Sequence, residues 1–198
     1  MKELIFLLEE RSAKAMLDSL LPRILNDEIH YRCIPFEGKQ DLEKQLVRKI
    51  RGYQNDQARF IVMRDQDNHP DCSAIKRRLL QSCIEAGKAD KCLVRIACME
   101  LETFYLADLE AVEKALQLTG LQKHQQNKKY RAPDKLGNAA NELKTLTGNR
   151  YEKIAGSRAI GQYLCLKNER SLSFRNLIGA IRRMENELMG AVAAIPAV

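Results

Sequence analysis

The sequence predicts an α/β fold: a parallel sheet with helices on both faces, followed by a C-terminal helical extension. Three observations carry this. Short continuous apolar runs at Leu4–Leu8, Arg59–Met63 and Cys92–Cys98 have the length and composition of strands buried on both faces. Stripes of helical period separate them. After about Gly120 only helical periods remain.

The elements follow in order. After the first strand, Ser12 is placed to cap a helix whose apolar stripe is Leu17, Leu20, Leu21 and Ile24, with Pro22 kinking or ending it. His30–Phe36 reads as a second strand, and Leu42, Leu46, Val47 and Ile50 as a second helical stripe. Arg59–Met63 runs into Arg64-Asp65-Gln66-Asp67. Pro70 suits a helical first turn, Ile75, Leu79, Leu80, Cys83 and Ile84 mark the helix, and Gly87 ends it. Cys92–Cys98 is followed by a helix through Leu109, Val112 and Leu116. This β-α order requires right-handed crossovers and a parallel sheet. Residues 1–120 are expected to form the α/β domain. Residues 121–198 are expected to form a helical extension on the same core, with Phe174, Leu177, Ile178, Ile181, Met184 and Leu188 as its clearest stripe. The small apolar end from Gly190 is expected to fray or dock loosely.

Composition narrows the function. Of 198 residues, 45% are hydrophobic and 30% charged, which excludes disorder. No apolar run approaches the ~18 residues of a membrane helix. Leu4–Leu8 is too short for a signal peptide and runs straight into Glu9 and Glu10. The six cysteines include no Cys-x-x-Cys pair, so the expectation is a reducing cytoplasm without disulfides or a zinc ribbon. No Gly-rich P-loop is present, which argues against intrinsic ATPase activity. A net charge of +7 suits a polyanionic partner.

Acids follow each clear strand: Glu9 and Glu10, then Asp65 and Asp67, then Glu100 and Glu102. In an open parallel sheet these positions converge where ligands bind, beyond the carboxyl ends of the strands. Two carboxylates about 4 Å apart repel by roughly 4 kcal/mol at an effective dielectric near 20. A retained proton or a divalent cation relieves that. An all-oxygen set points to Mg²⁺ or Mn²⁺. In extended backbone Asp65 and Asp67 would share a side and could face one ion. Each element also has a plain structural reading. Asp-x-Asp can be turn residues, Glu9 and Glu10 can sit at the positive end of a helix, and Glu102 can be a solvated first-turn residue.

This arrangement resembles the Toprim domain of topoisomerases, primases, small ribonucleases and OLD-type nucleases, in which one strand ends in Glu-Gly and a later one in Asp-x-Asp. Leu4–Leu8 with Glu9, and Phe60–Met63 with Asp65-Gln66-Asp67, match those elements. A small uncharacterised bacterial Toprim-like family is closer still. It shares the Glu-acid-x-Ser opening at Glu9–Ser12, the Arg-Asp-x-Asp segment at 64–67 and a segment like Glu102-Thr103-Phe104-Tyr105-Leu106-Ala107-Asp108. The resemblance implies a Toprim/Rossmann-like sheet and metal-dependent phosphodiester chemistry. It makes Glu9, Asp65 and Asp67 catalytic and metal-ligating; Glu102, among the acids that follow the third strand, is a further candidate metal ligand. Mg²⁺ or Mn²⁺ would be the cofactor, nucleic acid the substrate, and an ABC- or OLD-like ATPase of a bacterial defence system a partner. Glu10 stands where Toprim proteins carry Gly and lacks its backbone freedom; the alignment with Ser12 favours Glu9 as the functional acid. The alternative is a non-catalytic subunit that binds nucleic acid or the ATPase.

Candidate phosphate contacts are Arg64, Lys76 and Arg77 near the acids, and Lys128, Lys129 and Arg131 in the basic stretch after Gly120. Tyr130 in that stretch could stack on a base. His69 is a candidate for proton transfer. A basic run is also, more plainly, a solvated face.

Overall fold

A computed structural model describes residues 1–190. Four strands, β1 (Glu3–Leu8), β2 (His30–Pro35), β3 (Arg59–Asp65) and β4 (Cys92–Ala97), form one parallel sheet in the order β2-β1-β3-β4. The α/β class and the parallel sheet are therefore as the sequence predicts. Side chains alternate across the sheet as a period of two demands. Leu4, Phe6, Leu8, Ile61 and Met63 enter one core, and Ile5, Leu7, Phe60, Val62 and Val94 enter the other. All of β1 is buried, which explains its unbroken apolar run.

Two helices, α2 (Lys39–Arg51) and α3 (Cys72–Glu85), cover the second core with Leu42, Leu46, Ile50, Ile75 and Leu79. The opposite face is covered by α1 (Arg11–Leu20) and by the helices after β4: α4 (Glu102–Leu106), α5 (Leu109–Ala115), α6 (Lys128–Arg131), α7 (Ala139–Leu146), α8 (Lys153–Gly161) and α9 (Leu172–Met189). Their Phe104, Tyr130, Leu143, Ile160 and Phe174, and Tyr151 from the link between α7 and α8, join the same cluster as Leu4, Phe6 and Leu8. Among the described residues no helix is long and apolar enough to cross a membrane. The segment 191–198, expected to fray, lies outside the described residues.

Three local expectations need correction. Ser12 does not cap α1. Glu10 occupies the N-cap position without a side-chain cap, and Ser12 Oγ in the first turn donates to Glu10 Oε2 at 3.0 Å. Pro70 lies before the start of α3; Asp71 is the cap and accepts from the Ser73 amide at 2.7 Å. The helix expected through Leu109 is preceded by a separate short one, α4. The break falls at Asp108, whose Oδ1 accepts from the Ala111 amide at 3.2 Å and starts α5. Gly87 does end α3, at φ +75°, a conformation that strains any residue with a Cβ.

Asp108 also ties the two halves of the chain together, because its Oδ2 accepts from the Cys165 amide at 2.7 Å. Asp108→Ala removes a cap and orphans a partly buried amide. The expected loss is about 1–3 kcal/mol, read as a fall in Tm on the order of 2–4 °C per kcal/mol. An unchanged Tm would remove Asp108 from the stabilising contacts.

Candidate functional site

The strand order places a switch point between β1 and β3. The chain leaves β1 for β2 on one side, then returns to place β3 on the other. Beyond the carboxyl ends of those two central strands lies the crevice where open α/β sheets bind ligands. Glu9 directly follows β1 and Asp65 ends β3.

The two acids meet there. The Glu9 amide continues the ladder by donating to Met63 O at 3.1 Å, and Glu9 Oε2 accepts from the Asp65 amide at 3.0 Å. Glu9 is buried, and burial raises its carboxyl pKa against the opposing pull of the Asp65 amide and the Arg64 guanidinium. Asp65 Oδ2 accepts from the Leu101 amide at 3.0 Å. Burial of that carboxyl, and then the nearby Glu102 charge, hold its pKa well above the ordinary value. Glu102 opens α4, is 1% exposed, and accepts from Tyr151 Oη at 2.8 Å. It is a buried member of the cluster, not a solvated first-turn residue, and burial raises its pKa too.

A cavity of about 10 Å³ lies among Glu9, Glu10, Ser12 and Asp65. That is the room one small ion or water takes. Glu10 is the outer acid: its Oε2 pairs with Lys153 Nζ at 2.6 Å. Its backbone, at φ −134° and ψ 157°, is extended, so glycine's freedom is not required at this turn. A fully buried hydroxyl, Tyr105 Oη, makes no hydrogen bond among the described residues and has Ser157, Glu102 and Asp65 as its polar neighbours. A buried polar atom without a partner is costly in a finished core.

Asp67 departs from expectation. The strand ends at Asp65, and Asp67 has φ +52°, so the two aspartates do not share a side of extended backbone. The turn is fixed by the Asp67 amide donating to Met99 O at 2.7 Å. Asp67 Oδ2 instead pairs with Lys39 Nζ at 2.9 Å and lies 3.9 Å from Arg64 Nη2. Arg64 stands between the acids and does not offer itself to a substrate. Its side chain is 3% exposed. Nε donates to Asp65 O at 3.0 Å, Nη1 pairs with Glu43 at 2.6 Å, and Glu9 lies 3.7 Å away. On its far side is an open groove of about 450 Å³ lined by Lys39, Glu43, Arg64, Asp67, His69 and Arg78.

The other basic candidates line neither cavity. Lys76 lines a separate cleft beside β4 with Cys72 and Leu172. Arg77 pairs with Asp71 at 3.4 Å. Lys128, Lys129 and Arg131 lie on α6, where Lys129 pairs with Glu142 at 2.6 Å and Arg131 lines a groove with Asp108 and Arg170. Tyr130 is 2% exposed with its hydroxyl on Glu142, so it cannot stack on a base. The cations that do reach the groove, Lys39 and Arg78, carried little signal. Arg78 directly follows Lys76 and Arg77, and Lys39 stands in a helix whose sequence signal is its apolar stripe. Tyr105 and Tyr151 are legible only as neighbours in space.

A family model described as a domain of unknown function, DUF4276, matches residues 8–182. The chain belongs to this family. Its match runs from the end of β1 into α9, so the DUF4276 unit contains both the acids at the strand ends and the helices that pack behind them. No curated protein and no solved structure matches the chain.

The carboxylates of this DUF4276 chain supply the oxygen ligands that a divalent metal such as Mg²⁺ takes. Among the described residues, no group of three or more His, Cys, Asp or Glu side chains stands ready to hold an ion. Mg²⁺ needs fewer, since it keeps several waters and binds through one or two carboxylates plus substrate phosphates. Glu9 and Asp65 at an ion-sized cavity, each with its second oxygen free of the amide bonds above, fit that requirement.

Proposed function

We propose that this chain is a Toprim-like, Mg²⁺- or Mn²⁺-dependent enzyme that cleaves phosphodiester bonds in nucleic acid by hydrolysis. The observation that carries the reading is the meeting of Glu9 and Asp65 at the switch point, round a cavity the size of one ion. When bound there, the metal neutralises charge on the phosphate and lowers the pKa of an attacking water. Glu9 and Asp65 would hold it. Their backbone and amide contacts fix where their carboxylates stand, so little reorganisation is left for the reaction. Glu102, anchored by Tyr151, adds negative charge behind Asp65 and strengthens its grip on a cation. Asp67 joins when Lys39 releases it.

The net charge of +7 supports a nucleic-acid substrate. The cysteines, all free, suit a reducing cytoplasm. An ABC- or OLD-like ATPase in a bacterial defence system is the partner that the Toprim resemblance brings. A second reading, a binding subunit without catalysis, is favoured by one observation: among the described residues no three-ligand metal group stands assembled.

The test is hydrolysis of bis(p-nitrophenyl) phosphate and of DNA and RNA oligonucleotides in Mn²⁺, Mg²⁺ or EDTA. The native chain should cleave only with metal. Glu9→Gln should lose at least about 100-fold, the scale on which disturbing a metal site acts. Cleavage that survives EDTA or Glu9→Gln refutes the assignment. No cleavage, together with metal-independent oligonucleotide binding, selects the binding subunit.

A further inference from the structure

We infer that the groove on the far side of Arg64 is a phosphate subsite, and that an entering phosphate group frees Asp67 by taking Lys39 from it. The role given to the freed Asp67 rests on the phosphodiesterase reading above; the anion site itself does not.

Three cations converge on this groove of about 450 Å³: Lys39 from the start of α2, Arg64 from β3 and Arg78 from α3. Two carboxylates share it, Glu43 and Asp67. Arg64 is buried and pinned, so it contributes a fixed positive charge that cannot turn away. The other two cations are mobile. Lys39 is half exposed and pairs with Asp67 at 2.9 Å; Arg78 is 56% exposed and pairs with Glu43 at 2.7 Å. Exposed pairs of this kind are worth little and exchange readily. A phosphate brings more charge and more acceptor oxygens than a carboxylate, so it competes well for both side chains.

His69 adds a donor. Its Nδ1 accepts from the Asp71 amide at 3.1 Å. A ring nitrogen that accepts carries no hydrogen, so Nε2 is the protonated nitrogen of the neutral ring. The groove thus offers an ammonium, the Arg78 guanidinium and an imidazole N–H beside the fixed charge of Arg64, a set that suits a phosphate oxyanion. Its position is also informative, because Arg64 lines both this groove and the small cavity beside Glu9 and Asp65. A phosphodiester seated in the groove lies next to the acids. Once Lys39 has moved to the phosphate, Asp67 is released by its strongest partner. Substrate binding then completes the acidic set.

The test is a ¹⁵N-NMR titration of the full chain with inorganic phosphate in EDTA, at fixed ionic strength. Shifts should cluster at Lys39, Asp67, His69 and Arg78. Lys39→Ala and Arg78→Ala should each weaken binding about tenfold, as loss of one charge-assisted contact does. Asp67→Asn should tighten it, because the competitor for Lys39 is gone. Lys76→Glu, in a different cleft, should change it by less than about twofold. These side chains are exposed, and melts would confirm that each variant folds. Shifts elsewhere, or affinity insensitive to Lys39 and Arg78, overturn the subsite. Weaker binding in Asp67→Asn overturns the exchange. Phosphate binding in EDTA together with no cleavage in Mn²⁺ or Mg²⁺ refutes only the enzyme reading, and metal-dependent cleavage without groove binding refutes only this inference.

Discussion

Asp65→Asn is expected to make the metal-free protein more stable near neutral pH while abolishing metal-dependent hydrolysis. Burial and the neighbouring Glu102 raise the Asp65 carboxyl pKa well above its ordinary 3.8. A carboxyl raised in this way favours the folded state in its protonated form. That contribution is fully present below pH 3.8 and is lost as pH rises through the folded-state pKa. At neutral pH, where the unfolded carboxyl is ionised, folding must either bury that charge or take up a proton, and both work against the folded state. Asparagine keeps an oxygen for the Leu101 amide and turns an N–H₂ group toward the surrounding acids. The gain should appear as a rise in Tm of roughly 2–4 °C per kcal/mol. The advantage over the native chain should be larger at pH 8 than at pH 4. Adding Mn²⁺ should raise the Tm of the native chain and not of the variant. The rate should fall at least about 100-fold. A variant less stable than native at pH 8 in EDTA would show that the Asp65 charge is not strained, and the case for a cation at that site would fall with it.

Gly161→Ala is expected to be the most damaging small substitution in the chain's second half. Gly161 ends α8, which crosses α1 so closely that an added Cβ would stand 2.5 Å from the Met16 carbonyl oxygen. The obstacle is backbone, and no rotamer change relieves it. The helices must separate, at a cost of about 1–3 kcal/mol from overpacking, against a helix-propensity gain of about 0.5–1 kcal/mol. A second effect follows, because α1 starts at Glu10 and carries Ser12, which together line the small cavity. Metal affinity should fall along with Tm. Gly179→Ala is the control. It lies in α9 with nothing within 4 Å of a new Cβ, and should raise stability by about 0.5–1 kcal/mol. Two Gly→Ala changes in helices should thus move Tm in opposite directions; equal shifts would contradict the close crossing.

The strands were legible because burial leaves a mark that no neighbour can erase. Ile5, Phe6 and Leu7 are apolar on both sides since both sides of β1 are covered. Glu9 and Asp65 were legible as acids following such runs. Cap and break positions were less so. Ser12 and Asp108 are both competent caps by type, and only Asp108 acts as one, because the chain before α1 leaves the Ser12 hydroxyl nearer to Glu10.

Periodicity and apolar content by themselves determined the α/β class, the parallel sheet and the acids beyond its strands, since these depend on each residue's own polarity and its neighbours in sequence. Which acids meet was decided by the tertiary structure alone. A single left-handed residue turns Asp67 to Lys39, and the buried Arg64 guanidinium stands between it and the pair Glu9 and Asp65. Lys39, Arg78, Tyr105 and Tyr151 reach the site from distant parts of the chain. Charge and hydrogen bonding act through space over a few ångströms, and a linear spacing holds no record of that distance.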